Sequence, residues 1–175
     1  MATTDGPAVE LPLTGGHPSH LFRAPFIVLC VIAFLGFASM SMTQPLVPLL
    51  VLERGGDAAF VGMVLAVFSL PALFLRPIMG VLIDLWSRRR VYLFGALGVA
   101  VVSLGYLLPG LSAILLARLV HGAVWSAFMT GGAATLAEVA PPDRRGEASG
   151  IYNLAPGLAS LAIPALALLL HEAGH

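Results

Sequence analysis

The chain contains one uninterrupted run of 29 residues without a charged side chain, residues 24–52. A helix needs about 20 predominantly apolar residues to cross the hydrocarbon core of a bilayer, so this run is long enough to span it. It is too long for the apolar centre of a secretory signal, which has about 7–15 residues. The run therefore predicts that at least one segment of the chain spans a membrane.

The composition extends this prediction to most of the chain. Apolar residues make up 58% of it and charged residues only 10%, whereas an ordinary soluble domain has about 25% charged residues. Nine arginines, with no lysine, balance nine acidic residues, so the chain has no basic surface of the kind that binds nucleic acid. The single cysteine, Cys30, cannot form an intrachain disulfide and is expected to pack in the core. The composition predicts a protein of the lipid bilayer without a nucleic-acid partner.

Five apolar runs predict five crossings. Their approximate ranges are 24–52, 58–86, 91–108, 111–140 and 146–170. Pro71 and the dipeptide Arg76–Pro77 predict a kink and a packed partner for the second helix, because neighbours must satisfy the carbonyls that proline frees. Pro109–Gly110 is a turn signal that ends the third helix. The expected fold class is all-α, a polytopic transmembrane bundle over residues 24–170.

Arginines in the short connections predict the orientation of the bundle. The segment 1–23 and the connections between helices two and three and between helices four and five carry six arginines, whereas the opposite side carries only Arg54. Because positive residues stay on the cytoplasmic side, the N-terminus is expected in the cytoplasm and residues 171–175 outside. Segment 1–23, rich in proline and glycine, is expected to be a disordered cytoplasmic tail.

Small residues recur at the spacing that helix contacts require. In lipid, such residues let helix backbones approach and gain dispersion contacts. They favour a packed bundle over separate anchors. These residues are Gly95, Gly98 and Gly105 in the third helix, Gly122 and Ser126 in the fourth, and Ala155 and Ala159 in the fifth.

Five ionisable residues lie within or near the ends of the predicted helices: Arg76, Asp84, Arg118, His121 and Glu138. Each such group costs at least about 2.5–3.5 kcal/mol at the centre of a span, and usually pairs or faces a wet cavity. Arg118 has two interpretations, a side chain that extends to the membrane surface or one that lines an interior cavity. His121, one turn further on, is either a hydrogen-bonded packing residue or, where water reaches it, a proton carrier.

Arg76, Gly80 and Asp84 follow at intervals of four, so they share one face of the second helix, with Gly80 allowing another helix to come close. Asp84 lies near the C-terminal end of that helix, where the helix dipole disfavours a carboxylate. It needs a partner, and the candidates are Arg88 four residues on and the N-terminus of another helix. A local Asp84–Arg88 salt bridge that only sets the topology remains an alternative.

The segment from Gly80 through Asp84 to Arg88, Arg89 and Arg90 resembles motif A of the major facilitator superfamily, although Leu85 and Ser87 replace a residue that is often basic and one that is usually Gly. The preceding Arg76–Pro77–Ile78–Met79–Gly80 is similar to the extension of this motif in bacterial efflux-type members. These residues stand in the connection between helices two and three, where the family carries the motif. The resemblance implies a gate in which Asp84 and the three arginines take part.

Two further segments resemble the family. Arg118–Leu119–Val120–His121–Gly122 resembles its motif B in helix four, with His121 where glutamine is common. In helix five, Ala155, Ala159 and Pro164 resemble the motif C of drug/proton antiporters in size or kind, although Ile163 replaces the glycine before the proline. Residues 143–150 resemble the connection between helices four and five.

The resemblance implies a secondary transporter of twelve helices in two halves, which moves a small solute by alternating access, with proton-coupled efflux as its form. It is not an enzyme and no cofactor or metal is expected. By this resemblance the chain is five helices of the six-helix N-terminal half, cut at its end, and the partner of Asp84 lies in the missing C-terminal half. The expected location is the inner membrane of a bacterial cell. Gln44, Trp125 and Asn153 are candidates for the substrate pocket.

Two other functions remain open. The last five residues, His171–Glu172–Ala173–Gly174–His175, match the H-E-x-x-H pattern of zinc hydrolases and would indicate an intramembrane metalloprotease. Against this, no third ligand follows, and Gly174 weakens the helix that the spacing needs. The alternative is a non-transport membrane protein that self-associates through its small-residue faces.

Overall fold

A computed structural model of the chain describes residues 21–173. These residues form an all-α bundle without a strand, which confirms the predicted fold class. Most of the tail expected at residues 1–23 lies outside them. The helices are α1 (Ala24–Glu53), α2 (Ala58–Phe74), α3 (Arg76–Leu85), α4 (Arg88–Gly105), α5 (Leu111–Val139) and α6 (Arg145–Ala173), with a 3₁₀ turn at Pro142–Arg144 before α6.

The second crossing differs from the single kinked helix expected at 58–86. It consists of α2 and α3, which meet at Leu75 with a bend of 42°. The cause is Pro77, whose nitrogen cannot donate to the carbonyl of Leu73, and whose ring disfavours helical continuation through Arg76. Pro71 stays inside α2, so the bend lies at the Arg76–Pro77 dipeptide rather than at both prolines.

The bundle has two ends that polar contacts identify. At one, called the basic end, Arg88 at the start of α4 pairs with Glu138 at the end of α5. At the other, called the Arg54 end, the Arg54 guanidinium donates to the carbonyls of Leu108, Gly110 and Tyr106, at 2.6, 3.3 and 2.9 Å. These bonds satisfy backbone acceptors that the end of α4 leaves without partners.

Length and composition identify three described helices that could cross a membrane by themselves, α1, α5 and the segment Pro142–Glu172, and the bent pair α2–α3 could be a fourth span. Helix α4 is shorter, with 18 residues of which the first three are arginines. It begins beside Glu138 at the basic end and is followed by Tyr106 beside Arg54 at the other. Helix α4 therefore runs from one end of the bundle to the other.

Helices α4 and α5 approach each other at glycines on both helices. A Cβ added at Gly95 would lie 2.6 Å from Cα of Phe128, and one added at Gly131 would lie 2.6 Å from the backbone nitrogen of Tyr92. The predicted contact role is thus observed for Gly95, and Gly131 provides the matching contact from α5. Since lipid provides no hydrophobic force between helices, such backbone approach supplies the dispersion contacts that hold them.

Apolar side chains divide between the interior and the outer surface. One core cluster gathers Phe26, Tyr92 and Phe128 towards the basic end, and a second gathers Val51 and Ile114 towards the Arg54 end. Outside these clusters, Leu107 is 78% exposed and Leu161 is 80% exposed. Exposure of these leucines would be unfavourable in water but is not unfavourable in lipid. The exposed surface is that of a membrane protein.

The contact between α4 and α5 makes a testable prediction. Gly95→Ala should destabilise the protein by about 1–3 kcal/mol, because its methyl group would force the two backbones apart. The control is Gly62→Ala in α2, where an added Cβ meets no described atom within 4 Å. The control should leave stability unchanged or raise it by about 0.5–1 kcal/mol, since alanine favours the helix. Thermal unfolding in detergent, followed by circular dichroism, checks both; equal melting temperatures would contradict the proposed packing.

Candidate functional site

A group of residues around two buried polar side chains of α5 lies in the described part of the bundle, called here the buried cluster: Arg118 and His121 of α5, Tyr106 after α4, Phe68 of α2 and Thr43 of α1. Arg118 is 1% exposed and His121 is fully buried. The two residues lie three positions apart on α5, so their side chains leave the same face of that helix. The structure therefore supports the interior interpretation of Arg118.

The guanidinium of Arg118 lies between two aromatic rings. Its Cζ is 5.5 Å from the ring centroid of Phe68 and 5.6 Å from that of Tyr106, within the range of cation–π attraction. One terminal nitrogen donates to the carbonyl oxygen of Thr43 at 3.2 Å, whereas Nε has no hydrogen-bond partner among residues 21–173. All of these contacting groups are uncharged, so the described residues give this buried cation no counter-ion.

His121 is held by the same tyrosine. The hydroxyl of Tyr106 and Nδ1 of His121 lie 3.0 Å apart and share a hydrogen bond, while the ring packs edge-on against Phe68 with centroids 5.7 Å apart. Its other nitrogen, Nε2, lacks a partner among the described residues. The imidazole is thus a hydrogen-bonded core residue that keeps one nitrogen available.

Gly122 brings α2 close enough to complete the cluster. A Cβ at this position would overlap the carbonyl of Phe68 and lie 2.8 Å from the ring of Pro71. Only glycine lets α5 and α2 meet here, and their contact places the Phe68 ring beside Arg118 and His121. The small residue of the motif B resemblance therefore has a local physical function in building the site.

A second polar group lies at the basic end, in the connection between α3 and α4, and consists of Asp84, Arg88, Arg89 and Arg90. All four side chains are exposed. Arg88 pairs with Glu138 at 3.5 Å across to α5 rather than with Asp84. The local Asp84–Arg88 salt bridge is therefore not formed among the described residues, where Arg88 pairs with Glu138 instead.

Asp84 has no hydrogen bond or ion pair within the part of the chain that the structure describes. The N-terminus of α4 is not its partner, since Ser87 already caps it by accepting from the backbone nitrogen of Arg90 at 3.3 Å. Ser87 has an extended backbone, so the serine in place of a glycine causes no strain. The close helix expected at Gly80 is also absent from the described residues, where an added Cβ would meet nothing within 4 Å.

The remaining predicted residues do not form one pocket. Ala155 and Ala159 are buried on the face of α6 that packs against α1, and Pro164 lies inside α6. Trp125 packs edge-on against Phe37 with centroids 5.1 Å apart. No hydrogen bond or ring contact among residues 21–173 joins any two of the predicted pocket residues.

Gln44 is exposed on α1, and Asn153 donates to the carbonyl of Ser149 within α6 at 2.8 Å. Asn153 also lines a surface cavity of about 380 Å³ between α5 and α6 at the basic end. The pocket predicted from Gln44, Trp125 and Asn153 is therefore not assembled by these helices.

The residues of the H-E-x-x-H pattern are described only in part, since His175 lies outside residues 21–173. Nε2 of His171 lies 3.2 Å from the carboxylate of Glu53, which joins α6 to α1 at the Arg54 end. Among the described residues, no three histidine, cysteine or acidic side chains are grouped closely enough to hold a metal ion.

Sequence reasoning missed Tyr106, Phe68 and Thr43, which surround Arg118. Nothing local distinguishes Phe68 or Thr43 from other residues of apolar helices. Tyr106 could have been noticed in the sequence, because it lies three positions before Pro109 and therefore near the end of a helix. A buried tyrosine hydroxyl needs a hydrogen-bond partner, so Tyr106 is a candidate for a polar contact.

The family model described as Major Facilitator Superfamily matches residues 29–175 of the chain. No match was found among curated proteins. The matched range includes both the buried cluster and the polar group at the basic end.

The surroundings of Arg118 predict the effect of removing its charge. Arg118→Met keeps a long unbranched side chain between Phe68 and Tyr106 but removes a cation that lacks a counter-ion, so the free energy of unfolding should fall by no more than about 1 kcal/mol, or rise. Thermal unfolding in detergent measures this. His121→Ala, which leaves a cavity and an unpaired Tyr106 hydroxyl, should instead cost about 1–3 kcal/mol. A large loss of stability in Arg118→Met would contradict this description of the cluster.

Proposed function

The chain belongs to the major facilitator superfamily, whose members are secondary transporters of small solutes, and on that premise we propose that it moves a solute outward in exchange for protons by alternating access. The observation that carries the proposal is the state of Asp84. It is exposed at the end of α3 without a partner among residues 21–173, beside three arginines.

A carboxylate in the last turn of a helix is disfavoured by the helix dipole and is stabilised by contact with a cation or a helix N-terminus. Since Ser87 caps α4 and Glu138 pairs with Arg88, Asp84 is available to a helix from the second half of the transporter. A contact of this kind between two halves is made in one state and broken in the other. In this proposal it holds the transporter closed at the basic end.

The resemblance of Arg76–Pro77–Ile78–Met79–Gly80 to efflux-type members supports the outward direction. His121 supports proton coupling, because an imidazole with one nitrogen unpartnered among the described residues can exchange a proton when water enters the cluster. The arginines of the basic end support a cytoplasmic location for that end, and with it a cytoplasmic N-terminus in a bacterial inner membrane.

The gate makes a prediction about transport. In the protein expressed from its complete gene and reconstituted in vesicles, Asp84→Asn should lower solute flux about tenfold, because a neutral amide loses a charge-assisted hydrogen bond. Asp57→Asn is the matched control. Asp57 caps α2 at the Arg54 end by accepting from the backbone nitrogen of Phe60, and asparagine caps equally well. Equal flux in parent and Asp84→Asn would contradict the gate.

The orientation is tested by labelling intact cells with a maleimide that cannot cross the membrane. In a Cys30→Ser background, Ala58→Cys at the Arg54 end should be labelled, because this side faces outward. Gly146→Cys at the basic end should be labelled only after the cells are permeabilised. Both positions are exposed at helix starts, so accessibility within the fold does not differ between them. The reverse labelling pattern would place the basic end outside.

A further inference from the structure

We propose that the buried cluster is the binding site for the anionic group of the transported solute, and that this solute carries a carboxylate. The inference rests on the proposed transport function and names the chemical class of its substrate. It is carried by a buried cation without a counter-ion among the described residues and by a cavity lined by two of the residues that contact this cation.

The charge of Arg118 is the first observation. A guanidinium that is 1% exposed among uncharged groups pays the cost of leaving water without the attraction of an anion. The two rings and the Thr43 carbonyl compensate part of this cost. An anion placed beside the guanidinium would supply the missing attraction, and a carboxylate matches its planar set of donors.

The unpartnered nitrogens are the second observation. Nε of Arg118 carries a hydrogen and has no acceptor among the described residues. Nε2 of His121 also has no partner among the described residues, and it becomes a donor when the Tyr106 hydroxyl donates to Nδ1. The two nitrogens belong to residues three positions apart on α5, and in this proposal both donate to the carboxylate.

A cavity lies next to these groups. It has a volume of about 440 Å³, opens at the Arg54 end between α1, α4 and α6, and is lined by both Thr43 and Tyr106. Both residues contact Arg118, although the guanidinium itself does not line the cavity. In this proposal the Tyr106 side chain rotates so that a carboxylate in the cavity reaches the guanidinium.

The cavity lining also suits the organic part of such a solute. The hydroxyls of Ser39 and Ser103 lie 3.0 Å apart and hydrogen-bond to each other, and Ser103 donates to the carbonyl oxygen of Val99 at 2.8 Å. Leu46, Val47 and Leu50 supply an apolar wall for the rest of the solute. The volume lies within the range of small-molecule sites, about 300–1,000 Å³. The one carboxylate of the lining, Glu53, lies 3.2 Å from the imidazole of His171.

The test is equilibrium binding to the purified protein in lipid nanodiscs, measured by titration calorimetry. Benzoate is the anionic probe, benzamide its neutral counterpart of the same shape, and benzylamine the cationic one. Benzoate should bind about tenfold more tightly than benzamide, because the neutral amide lacks the charge-assisted hydrogen bonds. Benzylamine should bind more weakly than either.

Three variants separate charge from packing. Arg118→Met should remove the preference for benzoate, and Arg118→Lys should retain part of it, since the ammonium keeps the charge but lacks the planar donors. Arg23→Met, an exposed position at the basic end, should bind as the parent does. Equal binding of benzoate and benzamide by the parent, no binding of either, or a preference that persists in Arg118→Met would each overturn the inference.

The outcomes also separate this inference from the proposed function. Flux of an uncharged or cationic solute, together with a lack of preference for benzoate, would refute the anion site while leaving transport established. Anion binding that depends on Arg118, in a protein whose reconstituted vesicles show no flux for any solute, would support the site and refute transport.

Discussion

The architecture depends on the approach of two helix backbones, α4 and α5, at Gly95 and Gly131. Lipid provides no hydrophobic force between helices. Close backbone contact therefore holds α4 and α5 together, whereas in a soluble protein the hydrophobic effect would do so. Gly122 repeats the contact on another side of α5, against α2. The result places α5 between its neighbours and makes its side chains the least exposed in the bundle. A polar residue on the inner faces of α5 is therefore enclosed, as Arg118 and His121 both are.

The cost of enclosing Arg118 explains the composition of its surroundings. Two aromatic rings and a backbone carbonyl attract a cation without adding a second ion that would itself need solvation. They stabilise the guanidinium while leaving its charge unneutralised, which a carboxylate partner from the bundle would not do. A cluster built only for stability would have an apolar side chain at this position. The retained charge favours a binding role.

The sequence predicted what depends on neighbours along the chain and missed what depends on distant ones. Uncharged runs predicted the all-α membrane bundle, and Pro71 with Arg76–Pro77 predicted a kink in the second crossing, where the structure has a break between two helices. The partners of Arg118 and Arg88 were not predictable, because Thr43 and Glu138 lie 75 and 50 residues away from them. The pocket of Gln44, Trp125 and Asn153 stays a prediction, since polarity in a span does not determine which neighbour a side chain meets.

The buried cluster and the group at the basic end are connected by one bent element. Phe68 of α2 contacts the ring of His121 and lies beside Arg118, and Asp84 lies at the far end of α3. Between them the 42° bend at Leu75 interrupts the helix. Coupling between two sites requires an element whose position both of them influence. In the proposed transport cycle, a solute that displaced Phe68 would move α2 against α5, and the bend would determine how much of this movement reaches α3. The bent element would thus link the proposed binding site to the proposed gate.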